Sequence, residues 1–173
     1  MRSIKHFFEQ SWLLIVASFF FGLLIAITNA ALSPRIERNK SAKLDELASG
    51  LLTTATTFAK VDRDMEVEGL DGRAQEVPVY RAVMGNQIVG WVFQVVGFGF
   101  ADKIELVVAV DDEFETLAGF DVLASNETPG FGDQIMGSYF REQFQGAPAD
   151  ELTLVKAADP AAIDSQIVAI SGA

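Results

Sequence analysis

Cysteine is missing from this chain, and histidine occurs once, at His6. Without thiols there is no disulfide, no thiolate nucleophile, no Cys-ligated iron–sulfur cluster and little scope for a zinc site. One histidine near the N-terminus also removes imidazole acid–base chemistry from the rest of the chain. Positive charge is scarce as well: 13 Lys and Arg against 24 Asp and Glu leave a net charge of −11. That balance argues against nucleic-acid binding, because phosphate contacts need clustered Lys and Arg. The acidity itself reads as solubility. Carboxylates, hydroxyls, backbone amides or a bound cofactor are what remain to do chemistry.

Charge is absent altogether from Trp12 to Leu32, where Leu, Ile, Val, Phe and Ala dominate. At about 1.5 Å per residue, roughly 20 such residues cross a hydrocarbon core of about 30 Å. A cleaved signal peptide competes with a transmembrane anchor, since Arg2 and Lys5 precede the run and Thr28-Asn29-Ala30 resembles a small-residue cleavage site. Signal-peptide cores are usually about 7 to 15 residues, and the greater length favours the anchor. Ala17, Ser18 and Gly22 would let a neighbouring membrane helix approach closely. Arg2 and Lys5 lie before the span, and Arg35, Arg38, Lys40 and Lys43 after it, so a bare count puts the C-terminal side in the cytoplasm.

Residues 33–173 suffice for one domain with a real core. Ser33-Pro34 reads as the end of the membrane segment. Ile36, Leu44, Leu47, Leu51 and Leu52 then recur as one face of a juxtamembrane helix, and Thr53 to Thr57 and Asp62 to Glu68 read as loop. Val77 to Met84 and Gln87 to Val96 flank Gly85-Asn86, a hairpin signal, and Ile104 to Val110 and Thr116 to Leu123 follow as two more strands. An antiparallel meander with helical patterns before and after it makes the class α+β. A helix is predicted from Asp133 to about Phe144, strands at Leu152 to Val155 and Ile167 to Ile170, and a helical turn at Pro160 to Ser165.

Two glycine-bearing segments could bind a ligand. Gly97-Phe98-Gly99-Phe100 reads as a binding loop or, more commonly, a bend between strands. Glu127-Thr128-Pro129-Gly130-Phe131-Gly132-Asp133 reads as a type II turn leading into a helix capped by Asp133, or as an anion site at that helix start. The carboxylates Asp111, Asp112, Glu113 and Glu115 lack a calcium-loop spacing and read as a solvated turn, and no metal site is expected. The apolar run Ile167 to Ile170 leads into Ser171-Gly172-Ala173, small residues suited to close approach of a ligand, as though the chain were cut inside a functional loop.

Taken in order behind one anchor, these segments resemble the G subunit of the Rnf electron-transport complex and, related to it, the C subunit of Na⁺-translocating NADH:quinone reductase. The resemblance implies an N-terminal cytoplasmic segment at 1–10, a transmembrane anchor at 11–32, a juxtamembrane helix at 33–60 and an FMN-binding domain at 61–173, truncated at its flavin-attachment loop. It implies FMN held by Glu127, Thr128, Pro129, Gly130, Gly132, Ser171, Gly172 and Ala173, with no catalytic side chain of the protein's own. In that family the closing loop ends in a Thr that a flavin transferase esterifies with FMN, and here that Thr would follow Ala173. The position often held by Asp, three residues before the Ser, is Val168. The implied role is an electron-carrier subunit among other membrane subunits, rather than an enzyme alone. It would be surrounded by membrane lipid in the cytoplasmic membrane, with its domain on the periplasmic or extracellular side. The alternative from another class is a cofactor-free anchored module that holds a membrane complex together.

Overall fold

The computed structural model describes residues 2–68, 74–130, 132–157 and 165–170, with side chains from residue 11 onward. The chain divides into two units, Met1–Ser41 and Ala42–Ala173.

The described residues of the first unit are all helical and belong to α1 (Arg2–Leu51). One helix near the N-terminus, over Ser11–Leu51, is long and apolar enough to cross a membrane. Phe19, Phe20, Phe21, Leu24 and Ile25 all stand exposed on it, as an apolar solvent would require. The helix runs without a break through Ser33-Pro34, where the sequence reads the membrane segment as ending. Pro34 lies inside it, and in that turn the Ser33 hydroxyl donates to the Asn29 carbonyl at 2.7 Å. Proline removes one backbone donor here and crowds the Ala30 carbonyl, at a cost of about 3 kcal/mol to the helix.

The second unit opens with the last turns of α1. Leu44, Ala48 and Leu52, four residues apart, bury one face, while Ile36 of the predicted face is 57% exposed. They pack on Ala82, Val92, Val107, Ala109 and Leu123 of a five-stranded antiparallel sheet. Its strands are β1 (Thr57–Lys60), β4 (Val79–Met84), β5 (Gln87–Phe98), β6 (Lys103–Val110) and β7 (Leu117–Ser125), in the order β1-β4-β5-β6-β7. The small side chains Ala48, Ala82 and Ala109 bring helix and sheet close together. Lys43 then ties the helix to β7, its Nζ donating to the Leu123 carbonyl at 2.6 Å. β2 (Met65–Glu68) pairs with β3 (Ala74–Val77) as a separate hairpin. Gly85, at φ +63°, makes the predicted turn between β4 and β5.

Two loop expectations are corrected. The juxtamembrane helix ends at Leu51 rather than at residue 60, because Thr57–Lys60 pairs along the edge of β4. Met65–Glu68 is a strand where the sequence reads as loop: all four residues are exposed, so no inward–outward alternation marks it.

The other sheet face carries Trp91, Phe93, Val108, Val110 and Leu117, covered in part by Phe144 and Ala147. The helix predicted from Asp133 to Phe144 is broken into a 3₁₀ turn (Gly132–Met136), α2 (Ser138–Arg141) and a second 3₁₀ turn (Glu142–Phe144). Gly137 turns extended between the first two, at φ −65° and ψ 136°. The break lets Phe140 and Phe144 both meet Phe120 edge-on, with ring centroids 6.1 and 4.8 Å away. A parallel pair, β8 (Thr153–Val155) with β9 (Gln166–Val168), completes the unit. Residues 158–164, where the sequence predicts a helical turn, lie outside the described residues.

Candidate functional site

The β5–β6 hairpin and the chain leaving β7 meet at one end of the sheet, where Gly97 pairs with Ile104 and Ile104 with Ser125. The hairpin closes tightly, the Gly99 N–H donating to the Asp102 carbonyl at 2.9 Å. Its tip leaves Phe98 77% and Phe100 96% exposed. Glu127 reaches across from the end of β7: its Oε1 accepts the backbone N–H groups of Ala101 at 3.0 Å and Asp102 at 3.3 Å. Beside it the Asn126 side-chain amide donates to Asp102 Oδ2 at 2.8 Å. That amide, and then the Lys103 backbone N–H, hold the Asp102 carboxyl below its ordinary value of 3.8.

Glycine makes this approach possible on both sides. A Cβ on Gly99 would collide with Glu127 Oε1 and lie 2.7 Å from its Cδ. A Cβ on Gly132 would collide with Glu127 Cβ and lie 2.6 Å from Oε2. The two glycine segments that the sequence presents separately are thus joined through one carboxylate.

The turn at Thr128-Pro129-Gly130 has the expected left-handed glycine, Gly130 at φ +85°. Its amides differ from expectation. Gly132 N–H donates to the Thr128 carbonyl at 3.1 Å, and Gly130 N–H to Asp133 Oδ1 at 2.8 Å. Asp133 therefore reaches back into the turn instead of capping a following helix. With both glycine amides engaged and only a five-residue 3₁₀ turn behind them, an anion site at a helix start is not what this segment builds. Thr128, Pro129 and Gly130 are exposed, and a Cβ on Gly97 or Gly130 would meet nothing within 4 Å.

Ser171, Gly172 and Ala173 lie outside the described residues, as does Phe131. The strand leading toward them is fixed. Ile167 is 3% exposed, Val168 N–H donates to Gln143 Oε1 at 2.7 Å, and Ala169 N–H donates to the Val155 carbonyl at 2.9 Å. Gln143 is 5% exposed, and nothing in the sequence singles it out. No spacing marks a lone glutamine between aromatic residues; only its burial in the fold reveals it.

At the far end of the sheet, Asp111 caps its own loop, its Oδ1 accepting the Glu115 N–H at 2.9 Å. Burial works to raise that carboxyl, but the Glu115, Thr116 and Phe114 N–H groups outweigh it and hold the group below its ordinary value. A cleft of about 470 Å³ on that side is lined by Val61, Met65, Val79, Trp91, Phe93 and Phe114 among others. The Trp91 indole N–H is buried without a partner among the described residues, and Phe114 stacks on that ring at 5.3 Å.

The residues gathered around Glu127 suit a flavin in kind. Exposed phenyl rings and side-chain-free backbone at Gly97 and Gly130 match a flat aromatic ring, and the exposed Thr128 supplies a hydroxyl. Comparison with known proteins points to the same cofactor. Residues 99–173 match the FMN-binding domain family. By that match this part of the chain is similar to FMN-binding domains.

The chain is 29% identical over 143 residues to the G subunit of the proton-translocating ferredoxin:NAD(+) oxidoreductase complex of Clostridium ljungdahlii, covering 83% of this chain and 70% of that one. It is 28% identical over 161 residues to the G subunit of the ion-translocating oxidoreductase complex of Methanosarcina acetivorans, covering 92% and 81%. In fold it resembles the crystal structure of the C subunit of the Na(+)-translocating NADH-quinone reductase of Parabacteroides distasonis, at a TM-score of 0.56 and 19% identity over 81% of this chain and 84% of that one.

Proposed function

We propose that this chain is the membrane-anchored flavoprotein subunit of an ion-translocating oxidoreductase complex and passes electrons through FMN. The observation that carries the reading is the FMN-binding match over 99–173, which begins at the residue where the Glu127-bound hairpin turns. FMN, when bound, supplies the redox chemistry that a chain without cysteine and with one histidine lacks. The protein's own part is to hold and shield the flavin. Thr128 offers a hydroxyl, Pro129 and Gly130 an exposed turn, and Gly132 the space for Glu127, while β9 directs the chain toward Ser171, Gly172 and Ala173.

Other subunits of the complex are its partners, because one transmembrane helix makes no ion pathway and one flavin can only receive and pass on electrons. The helix over 11–32 packs on neighbouring membrane helices through Ala17, Ser18 and Gly22, and otherwise faces lipid. Maturation by a flavin transferase, and a domain outside the cytoplasmic membrane with residues 1–10 inside, belong to the same proposal.

The test is flavin spectroscopy on full-length protein purified from its native host. Absorbance in the visible flavin bands is expected, and flavin that stays with the acid-precipitated chain reports the covalent form. Protein with no flavin before or after acid treatment overturns the reading. It would leave the cofactor-free assembly module in its place.

A further inference from the structure

We infer that Glu127 is a positioning residue: its carboxylate locks the tip of the β5–β6 hairpin against the Thr128–Gly132 turn, and FMN binding depends on that lock rather than on contact with Glu127. This deepens the function proposed above and rests on it. Three observations carry it.

First, the acceptor is already in use. Glu127 Oε1 takes two backbone N–H groups, from Ala101 and Asp102, in the loop that presents Phe98 and Phe100. A carboxylate accepting backbone amides forms a strong charge-assisted bond, which restrains a loop that contains two glycines. Second, the side chain is enclosed on two sides by positions that tolerate only glycine without movement. Gly99 lies against its carboxyl group and Gly132 against its Cβ and Oε2. Neither has a left-handed φ, so it is the space occupied by Glu127, and at Gly99 by Ile104 Cδ1 as well, that calls for glycine at these two places rather than backbone conformation. Third, the same junction carries a parallel link, Asn126 Nδ2 to Asp102 Oδ2, so the end of β7 grips the hairpin twice. Without the lock the two exposed phenyl rings and the Thr128 turn would no longer form one surface.

Gly99→Ala is the discriminating variant. Its methyl group would meet Glu127 Oε1 and, 2.9 Å away, Ile104 Cδ1, and would displace the flexible end of Glu127 from the amides without removing any native side chain. Glu127→Ala removes the acceptor, and Glu127→Gln keeps an oxygen at the same position. Hydrogen exchange at the Ala101 and Asp102 amides is measured by mass spectrometry on full-length, flavin-free protein in detergent, and the affinity for added FMN is measured by quenching of flavin fluorescence.

Exchange at those two amides is expected to rise about tenfold in Gly99→Ala and Glu127→Ala, with FMN affinity falling by about the same factor, and both to stay near wild type in Glu127→Gln. Lower FMN affinity with unchanged exchange overturns the inference in favour of direct contact with the flavin. Faster exchange with unchanged affinity overturns it in favour of a purely structural bond. Wild-type protein that binds no FMN overturns the proposed function, and the flavin half of this inference with it, while the exchange data still report the lock independently.

Discussion

Gln143 Oε1 accepts the Val168 backbone N–H at 2.7 Å, a bond between a buried side chain of the broken helical segment and the strand three residues short of Ser171. Its Nε2 sits 3.5 Å from the Tyr139 carbonyl, at the limit of hydrogen bonding, so the Val168 contact is the stronger of the two. Gln143→Leu would fill similar volume and leave that half-buried N–H without its acceptor. The expected cost is about 1–3 kcal/mol of stability. In thermal unfolding of the full chain in detergent the variant should melt below wild type, and its flavin content should fall with the displacement of β9. A wild-type melting temperature with wild-type flavin content would show that the β8–β9 pairing alone holds the closing strand.

The docking of α1 makes a second prediction. Leu44 is 2% exposed and sits among Ala48, Leu52, Val92 and Val107. Leu44→Ala should cost about 2–5 kcal/mol, since both the transfer energy of the lost atoms and the cavity they leave count. Gly90→Ala acts differently. Its Cβ would stand 2.6 Å from the Val110 carbonyl oxygen and 2.9 Å from Leu52 Cδ1, and the backbone oxygen cannot swing aside. Overpacking of this kind costs about 1–3 kcal/mol. Chemical denaturation of both variants checks the order, with Leu44→Ala expected to be at least as destabilised.

Much of this fold is legible in the residues themselves. Strands β4 to β7 alternate or run apolar between clear turn residues, and Gly85-Asn86 and Thr128-Pro129-Gly130 place positive φ where the chain needs it. Met65–Glu68 escapes a sequence reading because a strand with only exposed side chains carries no buried periodicity, and Thr57–Lys60 because four residues with two half-buried neighbours, Phe58 and Ala59, show no alternation. The segment from Asp133 to Phe144 reads as one helix because its aromatic spacing is helical; Gly137 breaks it so that two rings can meet Phe120. At the site, the glycine segments and Glu127 stand out in the sequence, but their union does not. Gly99 and Glu127, far apart in the chain, touch only because β5, β6 and β7 are neighbours, a fact of topology rather than of local pattern.

Protonation of Asp102 should loosen the hairpin junction. Its carboxyl is held below 3.8 by the Asn126 amide and the Lys103 N–H, so the folded form binds its proton less readily than an unfolded chain does. A depressed carboxyl contributes stability that is fully present above its unfolded value and is lost as pH falls through the folded one. The contribution is therefore intact at neutral pH, begins to fall near 3.8 and is gone only below the lower value of the folded form. Asn126→Ala should move the Asp102 titration upward, toward 3.8. Nuclear magnetic resonance of ¹³C-labelled aspartate carboxyls in the full chain measures both. An unchanged Asp102 titration in Asn126→Ala would remove the Asn126 contact from the account.

Sidedness is the last expectation. The basic residues after the membrane span outnumber those before it, which by simple count would keep the domain in the cytoplasm. Those residues are interleaved with Glu37 and followed by Asp45 and Glu46, and long domains translocate largely regardless of flanking charge. The expectation that the domain lies outside the cytoplasmic membrane rests on the resemblance to the Rnf G subunit, against the charge count. The absence of native cysteine makes the measurement clean. Glu113→Cys places one thiol on the exposed β6–β7 turn and Ser3→Cys one near the N-terminus. In intact spheroplasts a membrane-impermeant maleimide should label Glu113→Cys, and should label Ser3→Cys only after permeabilisation. The reverse pattern would put the flavin domain in the cytoplasm and require its electron partners to be sought there.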